Sequence, residues 1–436
     1  MEIVERIIQR SRRLGVHTEV YSEKTEISSF IADTGRIREE RGEICGIGLR
    51  VVKNNNLGSF SFSFEEGFDE KRVLDKIERF SLGTPVKEPP FTFSDETTSV
   101  SGLCDPAGLV EVEKGVEIVQ DAIKAAKNHD GRIERVTCQL TSSLREIEVS
   151  NTFGIDKIRR ETRYHFSITC SSGEGQGREI IVLRSCKLLD TQQAAIKAAE
   201  MAINARNKQR VEEGRYDVVL HPGAVGLIIS KLLPLISADR GGSLPLMKMV
   251  GLNPRIGSTS LSIYDDGTID GLAYSVPFDD EGWPTQPNAI IEQGVFRNPL
   301  YDNLSAQINK RFSTGNGMRS SYRSDISVSP HNLLVEGGDL SRDELYREVQ
   351  DGILISDLIG SRFDPVSGVM TAMPVNSFRI ERGEVSYPLQ NALILMNIYD
   401  LITKVEMLSK ERIEIPASSY AVIAPFILVK NVLFTH

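Results

Sequence analysis

Tyr216-Asp-Val-Val-Leu-His-Pro-Gly-Ala-Val-Gly-Leu-Ile-Ile229 is the stretch on which the fold turns. Tyr216 to Leu220 has the length and β-branched content of a short strand. His221-Pro222-Gly223 follows as a turn, since proline fixes φ and cannot donate while glycine accepts almost any backbone angle. Residues 224–236 then run almost wholly apolar, as a helix. A strand, a tight turn and an apolar helix open a new folding unit here, so a domain boundary is placed at 213/214.

Upstream, Ile3, Val4, Ile7, Ile8 and Leu14 follow a helical stripe closed by Gly15. Strand-like sequence covers 18–31. Two further strands, 44–53 and 59–64, flank Asn54-Asn55-Asn56-Leu57-Gly58, and Phe60, Phe62 and Phe64 alternate with serines as a half-buried strand requires. Val73, Ile77 and Phe80 mark a helix ended by Gly83 and Pro85. Pro85, Pro89, Pro90 and Pro106 frame an aperiodic connection. Val112, Val116, Val119, Ile123 and Ala126 form the next helical stripe. Strands follow to Arg184, turning at 151–154 and 171–177, and 192–204 returns as an alanine-rich helix. The expected units are an N-terminal α/β domain (1–100), a middle α/β segment (101–213) and a β-rich C-terminal domain (214–436).

Downstream of Gly241, Gly, Pro, Asn and Asp recur every eight to twelve residues between short apolar runs. That punctuation predicts many short strands, with one helical insertion over 342–358. The fold class is therefore α+β, an α/β N-terminal region followed by a strand-rich C-terminal domain.

The chain has 436 residues, 40% hydrophobic and 25% charged, the balance of a globular protein of more than one domain. A net charge of −9, with basic residues clustered only as pairs such as Arg12-Arg13, argues against nucleic-acid and anionic-membrane partners. The N-terminus lacks an apolar signal core, and the most apolar run, 422–429, is broken by Pro425. Five scattered cysteines in a chain of this size read as reduced thiols, and the expected location is the cytoplasm. Cys104 and Cys138 lack a local signature and read as buried small apolar residues.

The six histidines are isolated, without the helical pair of a metal hydrolase, and no Cys-x-x-Cys occurs. Gly46-Ile-Gly-Leu-Arg-Val and Gly173-Glu-Gly-Gln-Gly have no P-loop lysine and read as tight packing or turns. Asp265-Asp266-Gly267 reads as a β-turn between strands. Asp279, Asp280 and Glu281, beside the single tryptophan Trp283, carry two readings: a turn, or one wall of a binding groove.

Three stretches together resemble one family. They are the opening stretch; Val276-Pro-Phe-Asp-Asp-Glu-Gly-Trp-Pro-Thr285 with Ile291-Glu-Gln-Gly-Val-Phe296 and Ser313-Thr-Gly-Asn-Gly-Met-Arg319; and Asn332-Leu-Leu-Val-Glu-Gly-Gly-Asp339 with Gly368-Val-Met370 and Arg379-Ile-Glu-Arg-Gly-Glu-Val-Ser-Tyr-Pro388. In order and spacing the chain resembles the TldD/PmbA family, once called modulators of DNA gyrase. The resemblance implies a two-subunit cytosolic metallopeptidase that acts on peptides or unfolded polypeptide. One subunit type, TldD-like, carries His-Glu-x-x-x-His on the helix after the Pro-Gly turn and a cysteine near the C-terminus.

At the matching positions this chain has Ser230, Lys231 and Leu235, and no cysteine follows Cys186. Serine and leucine do not replace imidazole on zinc, and a lysine opposes the dication. Without zinc no bound water is acidified, and without the glutamate nothing takes its proton. The resemblance thus points to the TldE/PmbA-type subunit, non-catalytic alone, with no cofactor of its own and with zinc in a TldD-like partner. Its strand-rich walls suit an extended peptide, which can add as a strand. A non-proteolytic binding protein that modulates a partner such as gyrase is the alternative. Whether the chain pairs with itself when that partner is absent stays open.

Overall fold

The computed structural model describes residues 2–33, 36–64, 69–238 and 254–435. Four long strands dominate the first half: β1 (His17–Asp33), β2 (Arg36–Lys53), β5 (Arg135–Asn151) and β6 (Asp156–Ser172). With β3 (Asn56–Ser63), β4 (Thr84–Pro85) and β7 (Gly175–Leu183) they form one antiparallel sheet, ordered β4-β3-β2-β1-β5-β6-β7. The turn from β2 to β3 is made by Asn54 and Asn55, both at positive φ, the backbone that a two-residue hairpin with right-handed strand twist demands.

Strand period fixes what each face does. Val20, Phe30, Leu49, Leu140 and Phe166 point to one side, where α1 (Glu2–Arg13), α2 (Glu70–Arg79), α3 (Val112–His129) and α4 (Thr191–Asn204) cover them. The opposite side carries Glu19, Tyr21 and Glu23 on β1, Arg50 on β2, and Lys157, Arg159 and Glu161 on β6, all buried. An uninterrupted pairing of β1 with β5 joins segments 1–100 and 101–213 in this one sheet. The two units expected from sequence are therefore not separate domains.

The second half begins with β8 (Gly214–Leu220), followed by β9 (Ile263–Asp266), β10 (Pro287–Glu292), β11 (Val295–Phe296), β12 (Gly317–Met318), β13 (Ser327–Val328) and β14 (Asn332–Val335). Then come β15 (Asp351–Phe363), β16 (Val369–Glu381), β17 (Glu384–Leu389), β18 (Leu393–Asn397), β19 (Val405–Pro416) and β20 (Ala421–Thr435). Pairings β8–β15–β16–β18–β20–β8 close into a ring, while β14, β9, β10 and β11 extend it from the start of β20. Closure leaves the ring strands few free edges. The helix expected over 342–358 covers Arg342–Val349 only, started by a Ser341/Glu344 capping box. Gln350 at φ 55 then turns the chain into β15, which pairs antiparallel with β16 and parallel with β8.

Two glycines of β2 meet the second half closely. A Cβ on Gly48 would stand 2.6 Å from the Tyr322 carbonyl oxygen, and one on Gly46 would stand 2.5 Å from the Tyr322 ring. Gly175 and Gly177 likewise abut α4, whose carbonyls at Ala202 and Ala198 would lie 2.0 Å from an added Cβ. Both glycine-rich motifs are thus packing devices.

Candidate functional site

Helix α5 (Pro222–Ser230) follows β8 directly. Pro222 sits in its first turn, and the His221 ring nitrogen Nδ1 accepts a hydrogen bond from Gly223 N–H at 3.0 Å, capping the helix. Burial, with Arg342 adding to it, pushes the His221 imidazole down to about 4, so the cap is neutral near pH 7. Val225, Ile228 and Ile229 pack into the largest apolar core, with strands of the ring around them.

The expected helix over 224–236 is broken. Helix α5 ends at Ser230, and a separate turn of helix, α6 (Leu233–Ile236), follows. Pro234 supplies the reason: it has no N–H for the Ser230 carbonyl, and its ring cannot continue a straight helix. Ser230 Oγ donates to Leu227 O at 2.6 Å, and the Leu235 side chain is 1% exposed within the apolar core. The zinc-motif positions therefore lie on either side of a helix break, one hydroxyl turned onto its own backbone and one leucine in the core. This set does not fit zinc. Among the described residues no three His, Cys, Asp or Glu side chains converge on a possible metal position.

Asp279, Asp280 and Glu281 do not line an open groove. They occupy a turn closed by Asp279 N–H donating to Trp283 O at 2.9 Å, with Gly282 at φ 77, and all three are 0% exposed. The turn sits on the charged face of the first sheet. Asp279 accepts the amides of Glu281 (3.0 Å), Trp283 (2.9 Å) and Gly317 (2.8 Å). Asp280 accepts Arg319 N–H at 2.7 Å and pairs with the buried Arg159, which also donates to Phe278 O at 2.8 Å. Glu281 accepts Asn303 N–H at 2.7 Å and lies 2.6 Å from Arg50, itself bound bidentately to Glu19 at 2.8 Å. Lys157 donates to Gly282 O at 2.9 Å. Burial raises Asp279 to about 7. It also raises Glu281, to about 8, with Asp302 and Asp279 adding to it against the opposing charge of Arg50.

Asp265 is a second buried hub rather than part of a tight hairpin. Its carboxylate accepts the amides of His331 (2.8 Å) and Asn332 (3.0 Å) and the Asn316 side chain (2.6 Å). Asp266 makes the turn itself, accepting Thr268 N–H at 2.8 Å. Cys138 is buried, but Cys104, expected to be buried, is exposed in the aperiodic connection.

The open surface beside the acid turn is aromatic. Trp283 lies between Phe93, edge-on at 6.2 Å between ring centroids, and Phe312, stacked at 6.4 Å. Phe93 is 67% and Phe312 76% exposed. Local pattern singles out only Trp283, because the other two rings arrive from remote segments.

The sequence profile of the PmbA/TldA metallopeptidase C-terminal domain matches residues 213–436. This chain belongs to the PmbA/TldD metallopeptidase family. A metalloprotease TldD homolog of Buchnera aphidicola subsp. Acyrthosiphon pisum is 24% identical over 385 residues, 84% of this chain and 79% of that protein. The structure of TldE from Thermococcus kodakarensis shares the fold with a TM-score of 0.82 at 21% identity, covering 100% of both chains. A Thermotoga maritima protein described as a candidate modulator of a DNA gyrase does so at 0.86 and 21%, over 100% of this chain and 99% of that one. No helix among the described residues is long and apolar enough to cross a membrane.

Proposed function

We propose that this chain is the zinc-free, TldE/PmbA-type subunit of a cytoplasmic peptidase complex. It pairs with a TldD-like chain that bears the zinc, closes the reaction chamber and helps to hold an extended peptide. The observation that carries this reading is the broken helix at Ser230, Lys231 and Leu235, where the donor set and the backbone are both wrong for a metal. No proton-transfer or Lewis-acid step is assigned to this chain, and its contribution is binding. The aromatic surface of Phe93, Trp283 and Phe312 supports peptide holding, since rings accept apolar side chains of many shapes. Val369, Met373, Leu393 and Leu395, each 39–41% exposed on the outer face of β16 and β18, support a partner-covered surface in the C-terminal domain.

Affinity purification of the chain from its native cytosol tests this. The expected result is a His-Glu-x-x-x-His homologue recovered in near-equal amount. Recovery of the chain alone, or with unrelated partners only, would overturn the reading.

A further inference from the structure

A second feature lies on the other half of the chain. Strand β3 is the last full strand at its end of the first sheet. Strand β4 pairs only with Asn56 and Leu57, and among the described residues no strand pairs with residues 58–62 on that outer side. Ser59 and Ser61 are exposed there. A groove of about 950 Å³ runs along this edge, between β3 and α2. Phe60, Phe80 and the 87%-exposed Leu82 supply its apolar part. Lys71, Arg72, Lys76 and Arg79 of α2 line it, all exposed and, among the described residues, none in an ion pair. Asp69 and Asp75 offset only part of that charge, on a chain whose net charge is −9.

An unpaired strand edge offers alternate N–H and C=O groups to an added strand, and the flanking side chains select what is added. Five residues of strand span about 16 Å at ~3.3 Å per residue. We propose that this groove is a docking site for an extended acidic peptide, held by strand addition to β3 and by the cations of α2. It stands apart from the aromatic surface around Trp283 and does not depend on any peptidase partner.

The test uses the isolated full chain and fluorescent ten-residue peptides. One alternates Glu and Val, one alternates Lys and Val, and one is the Glu/Val peptide N-methylated at every second residue. The Glu/Val peptide is expected to bind at least about tenfold tighter than the other two, and more weakly as salt is raised. Arg72→Glu with Arg79→Glu, both on the exposed face of α2, is expected to remove that preference without lowering the melting temperature. Equal binding of the acidic and basic peptides, indifference to N-methylation, or an unchanged preference in the folded double variant would each overturn the proposal. Tighter binding of a twelve-nucleotide single-stranded DNA than of the acidic peptide would overturn it too, since the groove would then read phosphate.

Discussion

Arg50 of β2 and Glu281 of the acid turn meet across the two halves of the chain, a guanidinium nitrogen 2.6 Å from a carboxylate oxygen, with side chains 3% and 0% exposed. The same guanidinium holds Glu19, and the same carboxylate holds the Asn303 amide. The turn over 279–283 therefore joins the first sheet to the second half of the chain. Arg159–Asp280 and Lys157–Gly282 repeat the arrangement beside it.

Removing one member of such a pair strands the other charge away from water. At pH 9, where Glu281 is ionised, Glu281→Gln is expected to cost about 3–5 kcal/mol, because Arg50 loses one of its two carboxylates while buried. Urea denaturation of wild type and variant measures this. A change below about 1 kcal/mol would return the acid to a solvated turn, where exposed charges contribute little.

The acid turn is also where sequence and structure part most clearly. Asp279, Asp280 and Glu281 carry both a turn and a groove reading in their local pattern; they make a turn and, being buried, line no open groove. Their burial was not legible, because Arg159 stands 121 positions from Asp280 and Arg50 further still from Glu281. Local periodicity did place α1 to α4 and the two strands on either side of 54–58, since those elements are specified by neighbours three, four or two residues apart; the turn itself is tighter than expected, with β3 starting at Asn56. The pairing of β1 with β5 is non-local and leaves no such trace, so the sequence pattern separates an N-terminal domain from a middle segment where the structure has one sheet. Pro234 was legible in principle: a proline inside an apolar run is a helix stop, and the run's hydrophobicity hid it.

His221 gives a pH dependence with a definite sign. Its folded-state value is about 4 against an ordinary 6.5, so between those values the unfolded chain binds more protons. Its stabilisation is complete above pH 6.5 and declines as pH falls through about 4, by roughly 3 kcal/mol at most. Protonation also turns the Nδ1 acceptor of the α5 cap into a donor. Stability measured from pH 7 to 4 should fall more steeply for wild type than for His221→Asn, which keeps a cap but cannot titrate. Equal slopes would show that His221 contributes nothing to the pH dependence.

Grafting the zinc motif onto this chain should fail. Ser230→His with Lys231→Glu and Leu235→His puts an imidazole into the apolar core and leaves the Pro234 break in place. The Leu235 change alone is expected to cost about 2–5 kcal/mol, combining lost packing with an unsatisfied polar group. Melting curves and elemental analysis read the two effects. A variant that melts like wild type and holds one zinc per chain would contradict the helix break as the obstacle.

Phe93 and Phe312 are exposed enough to be removed without harming the core. Changing both to Ala is expected to leave the melting temperature within a few degrees, as surface changes do, and to slow peptide cleavage by the reconstituted pair about tenfold or more. Unaltered cleavage would remove the aromatic surface from the account.

The division of labour between two chains is tested most directly by zinc content and cleavage measured together. The isolated chain, purified without a metal-affinity tag, is to be compared with the same chain mixed with its His-Glu-x-x-x-His homologue, using an unfolded polypeptide as substrate. The account predicts no stoichiometric zinc and no cleavage for the chain alone. For the mixture it predicts zinc in the homologue only, and cleavage that neither chain gives by itself and that a chelator abolishes. One tightly held zinc per isolated chain, or chelator-resistant cleavage by that chain alone, would contradict it.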